Sequence, residues 1–235
     1  MKGMLMRPEL IPLVPKGIKT VTRRLSGLKE INEEPDKWTY FQASSPVGIF
    51  TFFYDNLHIY NRKTAIVTIK PRYHVNETVY IKEAWRLYGW DDEGGEFWLQ
   101  YRDETISESL CVTEGVIEKY WLPNNLWPED KWRTPMFMPA WAARYFIQIT
   151  DVRAERLQEI TDNDIRDEGT PSTGIVPVHT AMLMTGTNNL DELQHSLSRA
   201  CFAELWDSIN PDYPWKSNPW NIRYAFKSVE RPVGI

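Results

Sequence analysis

The sequence predicts an α+β fold with many short strands and few helices. Short runs rich in β-branched and aromatic residues recur along the chain between turn residues, and few segments carry helical signals. Apolar residues make up 42% and charged residues 25%, which is ordinary globular usage and argues against a disordered chain. At 235 residues we expect a single domain over 1–235, with large insertions.

The strands are predicted from apolar runs and alternation bounded by turn residues. In the last strand Ile222, Tyr224 and Phe226 alternate with other side chains, so that one face is expected to be buried. A first strand is predicted at the start of 4–14. The other predicted strands are 19–24, 65–69, 78–82, 97–102, 145–152 and 220–229.

Three helices are predicted. The first starts near Pro8 and is kept short by Pro12, because proline inside a helix removes a hydrogen bond. The second is capped by Thr161 and ends at Glu168-Gly169. The third covers 191–209, and its apolar face is expected to pack on the sheet. That face comprises Leu193, Leu197, Cys201, Leu205 and Ile209, with Ala200 beside them.

Three segments are interpreted as insertions. Segment 26–63 is rich in aromatic residues and proline, and we expect it to contain a β-hairpin. Segment 86–130 holds eleven acids against three basic residues, which predicts a solvated excursion around the strand 97–102. Segment 170–190 is rich in Thr, Gly, Pro and Asn, which predicts a flexible loop.

Composition excludes several classes of protein. A net charge of −5 argues against a protein that coats nucleic acid through its overall field, whereas a nucleotide-sized ligand is compatible with it. Cys111 and Cys201 lie far apart and the histidines are scattered singly, so we predict no metal, and no cofactor is predicted either. The absence of a bilayer-length apolar run and of a signal-peptide core predicts a cytoplasmic protein without a membrane partner.

A short basic segment, 16–24, is the first candidate site. It carries four basic side chains and no acid, and Lys19 lies close to Thr22. A hydroxyl becomes a nucleophile when a neighbouring base takes its proton, and a lysine can serve only when partly neutral. Burial and the positive charges of Arg23 and Arg24 would both lower its pKa. On charge pattern alone, an edge strand with solvated basic residues explains the segment equally well.

A second candidate site follows the strand 78–82. Glu83 and Trp85 are placed to line a pocket, although a surface ion pair beside a core tryptophan explains them nearly as well. The loop 131–144 combines indole and guanidinium groups with Met138, a composition suited to stacking a planar ring and hydrogen-bonding its edge. Its indole and guanidinium side chains are Trp132, Arg133, Trp141 and Arg144.

An ordered set of motifs runs through the chain. The motifs are Gly-x-Lys-Thr-x-Thr-Arg-Arg at 17–24, Tyr80-Ile81-Lys82-Glu83-Ala84-Trp85, Trp132-Arg133, Met138-Pro139-x-Trp141-Ala142-x-Arg144, Leu157-Gln158-Glu159-Ile160-Thr161, Glu168-Gly169, Phe202-x-x-Leu205-Trp206-Asp207-Ser208-Ile209-Asn210 and Asn218-Pro219-Trp220. This set resembles the ASCH family, in particular its larger members from bacteriophages and prophages. The resemblance covers roughly 1–25, 64–86, 97–102, 130–169 and 200–229.

The resemblance implies a PUA-like fold, a small curved β-barrel flanked by short helices. One branch of small bacterial members hydrolyses N(4)-acetylcytidine to cytidine and acetate. By that resemblance Lys19 is the base, Thr22 attacks the amide carbonyl, and Glu168 protonates the departing amine. The implied substrate-binding residues are Thr20, Arg23, Arg24, Glu83, Trp85, Arg133, Met138, Trp141 and Arg144.

One geometric condition follows from the spacing of Lys19 and Thr22. Residues three apart in a straight strand point to opposite faces. Either the backbone bends between them, or Lys19 still lies in the turn after Gly17.

We therefore expect a protein that binds a modified pyrimidine nucleoside or nucleotide. Because the Lys-Thr-x-Thr pattern is intact, amide hydrolysis on an N(4)-acylated cytidine is the favoured activity. The main alternative is a non-catalytic PUA-like module that recognises a modified base or single-stranded RNA or DNA. A nuclease is the third hypothesis. The sequence leaves the oligomeric state open.

Overall fold

The computed structural model describes residues 1–41, 49–54, 65–91, 96–111, 131–170 and 190–234. The predicted loop 170–190 lies outside the described residues except at its ends, as do parts of the other two insertions. The architecture is mixed α+β, as predicted, and strands outnumber helices in the described part. These strands lie in sheets that do not close into a barrel within the described residues.

The elements have the following bounds. The strands are β1 (Lys2–Leu5), β2 (Val21–Arg24), β3 (Trp38–Phe41), β4 (Phe50–Tyr54), β5 (Ile66–Ile69), β6 (Thr78–Lys82), β7 (Trp85–Asp91), β8 (Glu96–Tyr101), β9 (Leu110–Cys111), β10 (Phe146–Arg156) and β11 (Trp220–Val229). The α-helices are α1 (Lys29–Glu33), α2 (Asp162–Asp167) and α3 (Leu190–Ile209). A 3-10 helix at Pro8–Leu13 replaces the first predicted helix, as expected for a segment containing Pro12.

The chain divides into two compact units. The first comprises Met1–Pro12, Thr78–Ile147 and Ser228–Ile235, and the second comprises Leu13–Glu77 and Gln148–Lys227.

In the first unit, β1 pairs in parallel with β6, and the Ile81 amide donates to the Tyr145 carbonyl just before β10. A second sheet has the order β7-β8-β9. The sequence interpretation missed β7, because the register shifts between Leu87 and Gly89 and interrupts the alternation. The core of this unit contains Tyr80, Trp85, Phe97, Leu99, Tyr101, Met138 and Phe146.

In the second unit, β10, β11 and β2 are neighbours in one sheet, and β3, β4 and β5 form another. The hairpin expected within 26–63 is confirmed, since β3 and β4 pair antiparallel with Tyr40 opposite Phe52. Helix α1 was not predicted. Its Asn32 accepts a hydrogen bond from the Trp220 amide at 2.8 Å and donates to the Trp220 carbonyl at 2.9 Å.

Helix α3 has the predicted length, but its buried stripe is one residue further along than expected. Phe202 and Trp206 are buried, whereas Ile209 is 42% exposed. The two aromatic rings pack on Leu157, Ile160 and Ile165 rather than on a sheet face. Aromatic side chains bury more apolar area than leucine or cysteine, and here they determine which face turns inward. Among the described helices none is long and apolar enough to cross a bilayer.

Strand β11 also departs from the prediction. Residues on both of its faces are buried from Trp220 to Tyr224, including the charged Arg223. A charged residue is tolerated there because Asp164 and Asp151 accept its hydrogen bonds.

Candidate functional site

Lys19 lies in the turn that precedes β2. Gly17 has a φ of 68°, in the left-handed region that glycine adopts readily. The Gly17 amide donates to Val14 at 3.0 Å and the Lys19 amide to Leu13 at 3.1 Å. Strand β2 begins only at Val21. The second of the two geometric conditions is therefore met, and strand alternation does not fix the direction of the Lys19 side chain.

The Lys19 ammonium group is buried and fully hydrogen-bonded. The side chain is 1% exposed, and Nζ donates to the Val21 carbonyl at 2.9 Å. It also donates to the Glu168 carbonyl at 2.8 Å and to Glu168 Oε2 at 2.8 Å. These acceptors match the three hydrogens of an ammonium group. Thr22 is not among them, but the Val21 contact places Nζ beside the peptide bond that joins Val21 to Thr22.

Burial lowers the pKa of Lys19 below its ordinary value of 10.5, because water no longer solvates the ammonium charge. Glu168 opposes this through its charge and hydrogen bond, whereas Arg24 and Arg23 add to it. The neutral amine is therefore more accessible than in an exposed lysine. Lys19 could act as a base for the Thr22 hydroxyl only if its pKa is lowered in this way.

Arg23 connects Glu168 to two further carboxylates. Its Nη1 donates to Glu168 Oε1 at 3.1 Å, its Nε to Glu155 Oε1 at 2.8 Å, and its Nη2 to Asp164 Oδ2 at 3.0 Å. Burial alone would lower the pKa of Arg23, but the three carboxylates together raise it. Each nitrogen of the guanidinium group already binds an acid of the protein, which favours a positioning role for this arginine.

Arg223 adds a second guanidinium group from the neighbouring strand. It lies opposite Arg23 in the antiparallel pair of β11 and β2, so both side chains share one face. Its Nη2 and Nε donate to Asp164 Oδ1 at 2.7 Å and 3.1 Å, and Nη1 donates to Asp151 at 3.2 Å. We define the buried charge cluster as Lys19, Arg23, Glu155, Asp164, Glu168 and Arg223.

Helix α2 carries Asp164 and is followed by Glu168, whereas the third acid of the cluster, Glu155, lies on β10. The Thr161 hydroxyl caps the helix by accepting from the Asp164 amide at 3.2 Å, as the sequence predicts. Glu168 follows the last helical residue, and its amide donates to the Asp164 carbonyl at 2.8 Å. The Thr20 amide donates to the Asp167 carbonyl at 2.8 Å. This backbone contact holds the turn containing Lys19 against the end of α2.

Thr22 and Arg24 lie on the face of β2 turned away from Arg23. Thr22 is opposite Tyr224, and alternation places Arg24 on the same side as Thr22. Thr22 is 4% exposed. Burial raises the pKa of Tyr224 to about 12, and its hydroxyl accepts from the Arg72 amide at 3.1 Å. Thr22 is thus a buried residue that lies directly across the strand pair from Tyr224.

The remaining predicted contacts belong to the first unit, where most are packing residues. Trp85 and Met138 are buried in the core, and Trp141 packs against it. The Met138 sulfur accepts from the Glu83 amide at 3.2 Å. Arg133 lies over the Trp85 ring at 5.0 Å from its centroid. These contacts support the alternative interpretation of a core tryptophan.

Glu83 and Arg144 form a two-point ion pair. Arg144 Nε donates to Glu83 Oε1 at 2.8 Å and Nη2 to Oε2 at 2.7 Å. Nη2 also reaches Asp103 at 2.8 Å, and Nη1 donates to the Thr105 hydroxyl. Burial raises the pKa of the Glu83 carboxyl, and Arg144 opposes that rise. The geometry is the planar fork that arginine and carboxylate groups favour.

A cavity of about 560 Å³ opens onto this ion pair. Four of its lining residues carry charge: Glu83, Arg102, Asp103 and Arg144. Its apolar wall includes Met6, Pro8, Ile11, Pro12 and Pro135. This volume lies within the usual range for small-molecule sites.

The sequence analysis proposed Lys19, Arg23, Glu168, Glu83 and Arg144 as site residues, but it did not name the residues that contact them in the structure. The missed residues are Asp103, Tyr101, Glu155, Asp164 and Arg223. Asp164 lies three residues after the capping Thr161, and Arg223 lies between the alternating apolar residues Ile222 and Tyr224, so that neither was assigned to the candidate site. A signal was present, because a lone basic residue within an apolar strand requires an acid when it is buried.

We compared the chain with models of protein families, with curated proteins and with solved structures. None of them matches it.

Proposed function

We propose that this protein is an ASCH-like protein that binds a modified pyrimidine nucleoside or nucleotide and hydrolyses an amide on an N(4)-acylated cytidine. The PUA-like curved barrel expected from the motif order is part of this proposal. The catalytic residues are Lys19, Thr22 and Glu168. The observation that carries the proposal is the buried contact between Lys19 Nζ and Glu168 Oε2 at 2.8 Å.

The contact between Lys19 and Glu168 supports the proposal because it joins distant parts of the sequence and because burying two charges costs free energy. Lys19 and Glu168 are 149 positions apart in the sequence, and both side chains are less than a tenth exposed. Burying an ion pair costs several kcal/mol of desolvation, which the mutual attraction only partly offsets. A fold that needed only apolar packing would be served better by apolar residues at these positions.

The reaction requires a neutral Lys19 amine and a protonated Glu168, and the buried ion pair of these two residues can supply both. Transfer of one proton from Lys19 to Glu168 would give a neutral amine and a neutral carboxylic acid. The amine would accept the Thr22 hydroxyl proton as Thr22 oxygen bonds to the acyl carbon. The carbon–nitrogen bond would then break as Glu168 gives its proton to the exocyclic nitrogen, leaving cytidine and an acyl-threonine ester that water hydrolyses.

Arg24 is the cation we assign to the substrate. It lies on the face of β2 that carries Thr22. A guanidinium group beside the attacked carbonyl would stabilise the negative charge that develops on its oxygen.

A binding module without catalysis is the second candidate, and one observation favours it. The three hydrogens of the Lys19 ammonium already have acceptors other than Thr22. A lysine held in this way suits a rigid recognition site as well as a catalytic one.

One experiment separates the candidates. The purified protein is incubated with N(4)-acetylcytidine and, in parallel, with labelled single-stranded RNA and DNA. Release of cytidine and acetate supports the hydrolase. Binding of nucleoside or RNA without turnover supports the recognition module, and shortened strands would indicate a nuclease.

A further inference from the structure

We propose that the first unit contains a binding site for an organic cation, an ammonium or guanidinium group on an apolar stem, in the cavity lined by Glu83 and Asp103. Every residue of this site belongs to the first unit, so the proposal does not depend on the chemistry of Lys19.

Arg144 has little capacity left for a ligand anion. Its Nε and Nη2 bind Glu83, Nη2 also binds Asp103, and Nη1 binds the Thr105 hydroxyl. Its guanidinium carbon lies 4.2 Å from the Tyr101 ring centroid and 4.6 Å from that of Tyr145. Arg144 is therefore an anchor that fixes the two carboxylates.

Glu83 retains unused acceptor capacity. An ionised carboxylate accepts about four hydrogen bonds, and the side-chain bonds described for Glu83 use two, both from Arg144. The residue is 4% exposed, so water reaches it poorly. A ligand with N–H donors would supply what this buried carboxylate lacks.

The most buried charge at this wall favours a cation. The four charged lining residues balance, because Arg144 and Arg102 offset Glu83 and Asp103, but Glu83 alone among them is buried. Arg102 and Asp103 are both exposed, and Arg102 lies over the Trp132 ring at 4.9 Å. Solvent screens an exposed charge far more than a buried one, so the buried carboxylate has the larger influence on a ligand.

The opposite wall of the cavity is apolar, and for this reason we expect the ligand cation to carry an apolar stem. Met6, Pro8, Ile11, Pro12 and Pro135 present hydrocarbon surface to the cavity. A bare metal ion would leave that surface uncovered, and an alkyl or aryl stem would cover it.

The test uses agmatine as the probe, because it carries a guanidinium and an ammonium group on a butyl stem. We expect isothermal titration calorimetry to show saturable binding of agmatine to the full chain and no binding of glutarate, a dianion of similar length. Asp103→Asn should weaken agmatine binding at least about threefold, and Glu83→Gln at least about tenfold. The matched control is Glu104→Gln, which alters an exposed neighbouring acid and should leave binding unchanged.

Circular dichroism checks that each variant folds, and Asp103→Asn decides the outcome if Glu83→Gln does not fold. The proposal is overturned if agmatine gives no saturable heat, if Asp103→Asn binds it as tightly as the natural sequence does, or if glutarate or cytidine binds this cavity in preference to agmatine. Binding of Nα-acetylarginine N-methylamide distinguishes the source of the cation. Tighter binding than agmatine indicates a peptide side chain, and weaker binding indicates a free amine.

Discussion

The Lys19 ammonium nitrogen lies 2.8 Å from Glu168 Oε2 in the interior of the second unit. The same carboxylate receives Arg23 Nη1 at 3.1 Å on its other oxygen. A turn before β2 and the residue after α2 are thereby joined by charged groups that are almost entirely buried.

Asp164 is expected to be the acid that matters most for stability. It accepts hydrogen bonds from both Arg23 and Arg223, and Asp164→Asn would leave two buried guanidinium groups without their shared anion. We expect the free energy of unfolding to fall by about 3–5 kcal/mol, measured by urea denaturation. The control Asp162→Asn, an exposed acid of the same helix, should change it by less than about 1 kcal/mol. Equal effects of the two changes would contradict the role of the cluster.

Because of Asp164, we also expect the free energy of unfolding to fall at low pH. Burial alone would raise the pKa of Asp164, but Arg223 and Arg23 hold it below its ordinary value of 3.8. The unfolded chain therefore takes up this proton at a higher pH than the folded chain does. The contribution is fully present above 3.8 and is lost as pH falls through the folded pKa. Urea unfolding measured from about pH 5 downward should show a shallower loss in Asp164→Asn than in the natural sequence. Parallel curves would refute this assignment.

Lys19 should titrate below the exposed lysines. Burial lowers the pKa of Lys19 from 10.5, and Glu168 limits the change. In a protein labelled at lysine 13Cε, the resonance that disappears in Lys19→Arg should lose its proton below the ordinary lysine pKa of 10.5. Glu168→Gln should move the Lys19 titration lower still, because it removes the negative partner. A Lys19 resonance that titrates at or above 10.5 would rule out an unusually accessible neutral amine.

Asn32 should be important for the stability of the second unit although it is not one of the proposed catalytic residues. Its amide group satisfies both the backbone N–H and the carbonyl of Trp220. Asn32→Ala would leave these two groups unpaired, and we expect a loss of about 2–4 kcal/mol in the free energy of unfolding. Glu33→Ala, an exposed change on the same helix, provides the control. Similar thermal midpoints for Asn32→Ala and the control would be inconsistent with this account.

Much of the strand layout follows from the sequence. The predicted strands 78–82 and 220–229 have the observed bounds, because alternation and flanking turn residues define them. The cap at Thr161 was also predictable, since N-capping depends on local chemistry. The inward face of α3 was not predictable from the sequence. The helix carries one apolar stripe through Leu205 and another through Phe202 and Trp206, and only the packing around Phe202 and Trp206 selects between them.

The candidate site was predictable only in its sequence-local part. The motif containing Lys19, Thr22 and Arg23 marks a site by its own composition, whereas Glu155 and Arg223 have ordinary neighbours in the sequence. Their contacts with Arg23 and Asp164 span 132 and 59 positions. Such pairings depend on how the strands and α2 assemble, which no local pattern specifies.

The most direct test of the central claim compares cytidine release from N(4)-acetylcytidine by the natural sequence and by four folded variants. Lys19→Ala, Thr22→Ala and Glu168→Gln should each lower kcat by at least about a hundredfold. Lys16→Ala, which removes an exposed lysine of the same segment, should retain the activity. Turnover that survives in Lys19→Ala or Thr22→Ala, or a natural sequence that binds the nucleoside without releasing cytidine, would contradict the proposed catalytic role of these residues.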